Sequence, residues 1–170
     1  MPAGQLLPIV EQAQQASMKV SVKKDGDEFD FGGAHFQVFA PGRDQITGSM
    51  RTNDDCLVFT ATFAGTTALL EGDAERPAER RVVEEHPEAM LLKVAHHGSA
   101  SGTSADLLRT VHPRYAVISV GARNVYGHPR HEVLERRQQA GVKTYRTDAQ
   151  GAVRFYLDGK SVTPDVALLH

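Results

Sequence analysis

The stretch LLKVAHHGSASG, residues 91–102, decides how the rest of the chain is read. Its apolar start, broken only by Lys93, runs straight into His96, His97, Gly98 and Ser99. A short apolar run bounded by glycine reads as a buried strand. Polar side chains just beyond such a strand stand where α/β proteins collect their functional groups. His96 and His97 are neighbours, and neighbours in extended backbone point to opposite faces, so the two need not reach one site.

Working outward, the second half alternates strand and helix. A helix is expected over 77–85, the strand AMLLKVA over 89–95, and a helix SADLLRTV with Ser104 as N-cap. The strand YAVISVG follows, then the helix RHEVLERRQQAG closed by Gly141, then the strands VKTYRT and GAVRFYLDG. This alternation with short loops implies α/β architecture with parallel pairing. Upstream, CLVFTATFAGTTALLEGDAE reads as two strands about an Ala-Gly turn, and DEFDFGGAHFQVFAPG as two more about Gly32-Gly33. MKVSV, with Val20 and Val22 alternating with polar residues, reads as a further strand, preceded by a helix over 6–16. Residues 42–55 are polar and aperiodic and read as a loop. No repeat or linker interrupts the 170 residues, which are expected to form a single mixed α/β domain.

Hydrophobic residues make up 41% and charged residues 24% of the chain, as in a soluble globular protein. The net charge of −2 carries no global signature of nucleic-acid binding. One cysteine, Cys56, excludes an intrachain disulfide framework. No run approaches the roughly 20 apolar residues that span a bilayer, and the N-terminus does not read as a signal peptide.

Polar clusters follow three of the expected strands: Asp73 in LLEGDAE; Lys93, His96, His97 and Ser99 in LKVAHHGS; and Asn124, Tyr126, His128 and His131 in VISVGARNVYGHPRH. Carboxylate oxygen with imidazole nitrogen suits zinc or manganese. Singly, each cluster has a plainer reading. Gly72-Asp73 is an ordinary turn, Lys93 an edge lysine reaching water, and Asn53-Asp54-Asp55 a solvated turn. His35, His86, His112 and His170 have no companions that suggest a site.

In order, NDDCLVFTATFAGTTALLEGDAE, LLKVAHHGSASGTSADLLRTVHPRYAVISVG, NVYGHPRHEVLERRQQAGVKTYRTD and GAVRF resemble the C-terminal metallo-β-lactamase-like domain of the ComEC competence channel and its stand-alone relatives. The resemblance implies part of an αββα sandwich, its C-terminal portion, and metal-dependent hydrolysis of DNA phosphodiesters during DNA uptake. It implies two divalent ions, zinc or manganese, in the parent protein. Asp73 falls at the metal-bridging aspartate. His97 falls at the metal-ligand histidine, with His96 the alternative. Lys93 and His128 are the catalytic candidates that stabilise phosphoryl charge, and Asn53 and Ser99 border the substrate. Arg43, Arg51, Arg123, Arg130, Arg136 and Arg137 are candidate DNA-backbone contacts, each otherwise an ordinary surface arginine.

The family's N-terminal His-x-(Asp or His)-x-Asp-His motif is missing, Cys56 replaces a usual serine, and Ala40 stands where histidine is frequent. The expected explanation is a fragment whose partner is the missing N-terminal part; a degenerate copy that binds no metal and a site completed by a second chain are the alternatives. A bare sheet face would favour self-association. A ComEC-like parent would hold the domain outside the cytoplasmic membrane. Two other functions stay open: a metal-free module binding DNA or protein, and a hydrolase of small esters on the same fold.

Overall fold

In the computed structural model, residues 3–42 and 52–166 are described. Arg43, Arg51 and His170, and most of the expected 42–55 loop, lie outside them.

Hairpin chemistry builds the first half of the sheet. Strands β1 (Glu28–Phe31) and β2 (Ala34–Ala40) meet at Gly32-Gly33, and β3 (Val58–Phe63) and β4 (Thr66–Leu70) meet at Ala64-Gly65. Both glycines of the first turn and Gly65 of the second have positive φ, which hairpin turns require. β1 to β4 pair antiparallel in sequence order. From β4 the sheet continues parallel through β5 (Leu91–Lys93), β6 (Tyr115–Ile118) and β7 (Lys143–Arg146), giving seven strands ordered as in the chain. The crossovers are helices α2 (Arg76–Glu85), α3 (Ala105–Val111) and α4 (His131–Gln139). α1 (Ala3–Gln15) precedes the sheet, and the short α5 (Thr147–Gln150) follows β7. The fold is mixed α/β on one large mixed sheet.

Alternation assigns the two faces. Leu69, Leu92 and Ala116 turn toward Ala78 and Val82 of α2, Leu107 and Val111 of α3, and Val133 of α4, forming the main core. The residues one position earlier, Ala68, Leu91 and Tyr115, face the other way. They pack under Val153, Phe155 and Val162 of a separate hairpin, β8 (Val153–Leu157) and β9 (Val162–Val166). Beyond that hairpin the same face carries Phe29, Phe36 and Phe59, a half-buried row of rings with centroids 4.7 and 5.9 Å apart.

Two expectations need correction, and one strand is added. MKVSV joins no ladder; Met18, Val20 and Val22 stand 63%, 46% and 74% exposed. Alternation marks a chain that favours extended backbone, but a strand also needs a partner edge. β9 lies beyond GAVRFYLDG, the last strand expected from the sequence; it is an edge strand, in which Pro164 is tolerated. Arg137 is no surface residue: it is fully buried, its Nε donating to Thr144 Oγ1. Among the described residues no helix is long and apolar enough to cross a membrane.

Candidate functional site

Parallel strands align their carboxyl ends, so the segments after β4, β5 and β6 meet at one rim. After β4 the chain turns at Gly72, where φ is +55° and an added Cβ would lie 2.9 Å from Cys56 Sγ. This turn presents Asp73, whose side chain is 46% exposed. Lys93, at the end of β5, donates its ammonium to the Gly72 carbonyl at 3.0 Å. Its charge therefore braces the turn carrying Asp73.

The segment after β5 is not extended. His96 (φ 43°, ψ 47°) and His97 (φ 54°, ψ 22°) are both left-handed, followed by Gly98 at φ +88°. Left-handed conformations cost non-glycine residues on the order of 1–3 kcal/mol each and persist only where their surroundings enforce them. Here the Ala95 N–H donates to Glu71 Oε2 and Thr103 Oγ1, the His96 N–H to the Gly72 carbonyl, and the Arg130 N–H to the Gly98 carbonyl. The coil brings the two rings to 6.3 Å, contrary to the opposed directions of extended neighbours.

The two histidines are then distinguished by their hydrogen bonds. His97 Nδ1 lies 2.6 Å from the Ser119 carbonyl, which only accepts, so Nδ1 carries the proton. Its Nε2 is left facing Asp73 Oδ1 at 3.8 Å. A ring nitrogen tied to a backbone carbonyl while the other stays free is the usual arrangement of a metal-binding histidine. His96 instead turns to Asn53 and Glu75: its Nδ1 is 3.5 Å from Asn53 Nδ2 and 3.9 Å from Glu75 Oε1. Asn53 Nδ2 also donates to Glu75 Oε1 at 3.0 Å.

The loop after β6 supplies His128, its ring 5.8 Å from that of His96. Asn124 clamps it in place, its amide donating to the His128 carbonyl and its Oδ1 accepting from the His128 N–H. Burial first, then the neighbouring His96, Arg130 and His97, holds the His128 imidazole below its ordinary value, favouring the neutral ring. Its Nδ1 is buried without a partner. Ser99 turns away to Ser101, with hydroxyls 3.0 Å apart.

Thus Asp73, His96, His97, His128 and Asn53 converge, while Lys93 braces the Gly72–Asp73 turn and Ser99 bonds within its own turn. His131 stands apart, paired with Glu135 one helical turn on. His86 and His112 cap α2 and α3 in left-handed conformation. His35, read as solitary, pairs with Asp30 at 3.0 Å because the β1–β2 register sets them opposite.

Beneath the rim lies a carboxyl that the sequence did not single out. Glu71 is 1% exposed; its Oε2 also accepts from Thr103 Oγ1, and its Oε1 has no partner. Burial, and then the charge of Glu79, pushes it well above the ordinary carboxyl range. Asp54, read as part of a solvated turn, is instead buried; it accepts from the Glu75 and Ala78 N–H groups and so caps α2 from across the rim. Nothing in LLEGD or NDD separates these residues from turn carboxylates; only the packing does. Among the described residues, no group of three or more His, Cys, Asp or Glu side chains is arranged to hold a metal ion.

No protein-family model matches the chain. It is similar to ComE operon protein 3 of Bacillus subtilis, at 29% identity over 86% of this chain and 19% of that protein. Competence protein ComA of Neisseria gonorrhoeae is 34% identical over 62% of this chain and 16% of its own length. Recombination protein 2 of Haemophilus influenzae is 32% identical over 78% and 17%. The chain thus spans less than a fifth of the length of these relatives. Its fold is similar to the crystal structure of a protein from Parabacteroides distasonis described as a metal-dependent hydrolase, with a TM-score of 0.50, 16% identity, and coverage of 81% of this chain and 62% of that one.

Proposed function

This chain is homologous to one segment of the competence and recombination proteins, and from that kinship we propose that it is a metal-dependent phosphodiesterase module acting on DNA. The observation that carries the reading is the 3.8 Å approach of Asp73 Oδ1 and the free His97 Nε2, both half-exposed at the strand rim. A carboxylate and a neutral imidazole suit zinc or manganese. They are two donors of a larger set, and the remaining positions are left to water, substrate oxygen or further protein ligands.

Asp73 and His97 would hold a divalent cation, which would supply water activated near neutral pH and offset charge on the phosphoryl oxygens. The chain's own residues do the rest. Lys93 fixes the Gly72 carbonyl and with it the direction of Asp73. The Ser119 carbonyl fixes the His97 tautomer. His128, as a neutral ring at the same mouth, offers an N–H to a phosphoryl oxygen. The exposed Arg123 and Arg130 attract the DNA backbone. In a ComEC-like parent this module meets incoming DNA outside the cytoplasmic membrane.

The test is cleavage of single-stranded and duplex DNA with Mn²⁺ or Zn²⁺ by the chain and by Asp73→Asn and His97→Ala. Metal-dependent cleavage lost in both variants is expected. Undiminished cleavage by the variants, or none by the unmodified chain with either metal, overturns the reading. The incomplete donor set favours one other function, a metal-free DNA-binding module; it predicts strand binding indifferent to chelator and no cleavage.

A further inference from the structure

A cavity of about 410 Å³ opens beside the rim, sharing His97 and His128 with the candidate site. Its size is that of a small-molecule pocket. Val120 and Gly121 form part of its wall, and Tyr126 stands at its edge. Two of the polar residues around it, Asn124 and Thr147, are already engaged. Asn124 Nδ2 donates to the Gly121 and His128 carbonyls, and Oδ1 accepts from the His128 N–H. Thr147 Oγ1 accepts from the Val120 N–H at 2.7 Å and donates to the Val120 carbonyl at 2.8 Å. That part of the wall therefore offers apolar and aromatic surface, its hydrogen bonds used up internally, while His97 and His128 border it on the side of the candidate site.

Tyr126 is 71% exposed, and its neighbour Val125 is 90% exposed. The Tyr126 ring lies nearly parallel to that of His128, at 19° with centroids 6.1 Å apart. Val125 and Tyr126 together leave apolar and aromatic surface open beside the candidate phosphodiester site. A flat, apolar-faced group joined to a phosphate at the Asp73–His97 pair would fit this surface.

We propose that this cavity is a base-stacking slot, in which the nucleobase next to the bound phosphate lies on the Tyr126 ring against Val120. The inference rests on the nucleic-acid reading of the site and adds where the substrate is gripped and in what form. Stacking reads the π-face that every base has, so the slot accepts all four bases. A base can enter only when unstacked from its neighbours, so the substrate is single-stranded or locally opened DNA.

The test uses the full chain with Mn²⁺ and a phosphorothioate single strand, resistant to cleavage, that carries 2-aminopurine. A strand of equal length lacking bases serves as comparison. Binding should quench the aminopurine fluorescence. The abasic strand, and the intact strand with Tyr126→Ala, should bind about tenfold more weakly or worse, as loss of a stacking platform implies. Tyr126→Phe should bind as the unmodified chain does, and Tyr126→Ala should keep the melting temperature because the ring is exposed. Equal affinity for the abasic strand, or no effect of Tyr126→Ala, overturns the slot and leaves the nuclease reading standing. Binding of neither strand overturns it too, and the cleavage assay on unmodified DNA then decides whether the nuclease reading falls with it.

Discussion

Replacing Glu71 with glutamine tests whether the carboxyl beneath the site is neutral. Glu71 is 1% exposed, and burial together with Glu79 pushes it well above the ordinary range, against the opposing pull of the Thr103 and Ala95 hydrogen bonds and Lys93. An unfolded glutamate loses its proton near pH 4.3. Above that value the folded chain keeps a proton that the unfolded chain has released. Stability then declines as pH rises, by up to ~1.4 kcal/mol per pH unit, until the buried carboxyl ionises. Glutamine keeps the shape, and its carbonyl oxygen can take both donors that Oε2 now accepts, from Ala95 and Thr103. Glu71→Gln should therefore be close in stability to the unmodified chain near pH 5 and gain on it steadily toward pH 7. Glu79, also raised by burial, leaves a slope in both proteins, so the difference between them is the readout. Urea unfolding at a series of pH values in EDTA measures it. The opposing case is a charged Glu71 balancing the buried guanidinium of Arg137, whose two terminal nitrogens lack partners and whose pKa burial pulls down to about 10. Removing one partner of a buried pair costs about 3–5 kcal/mol. A loss of that size in Glu71→Gln at neutral pH would refute the neutral carboxyl.

Ser104→Ala should cost about 1 kcal/mol in urea unfolding, since its hydroxyl accepts the Leu107 N–H at the start of α3. Gly98→Ala places a Cβ 2.6 Å from Pro129 Cβ and 2.9 Å from Pro129 Cα, in backbone at φ +88°. It should displace the segment carrying His128 and weaken oligonucleotide binding by anisotropy; unchanged affinity would contradict the placement of His128. Arg146 holds the Asp148 carboxyl below its usual range through paired hydrogen bonds. That contribution is present above the ordinary carboxyl value and disappears as pH falls through the folded value. Asp148→Asn should therefore flatten the acid limb of a pH–stability curve, and an identical limb in both proteins would argue against the pairing.

Periodicity and turn residues made most of the scaffold legible: the two hairpins, the strand–helix alternation and the Ser104 cap all stand where the pattern places them. MKVSV misled because alternation carries no information about a partner edge. The convergence of Asp73 and His97 was legible as two polar groups after neighbouring parallel strands. The geometry that joins them was not, because nothing in AHHG announces two left-handed histidines. That conformation is imposed from outside, by Glu71, Thr103, Ser119 and the Arg130 N–H. Arg137 was misplaced for a related reason: charged residues default to the surface, and its burial follows from the packing of α4 on the sheet.

The proposed site holds one cation between Asp73 and His97, with His96 outside its shell. Calorimetric titration of Mn²⁺ and Zn²⁺ into the chain, Asp73→Asn, His97→Ala and His96→Ala tests it most directly. The account predicts that the first two substitutions weaken binding by about a hundredfold or more, whereas His96→Ala leaves it nearly intact. Binding that survives in Asp73→Asn and His97→Ala, or that is lost only in His96→Ala, would contradict it.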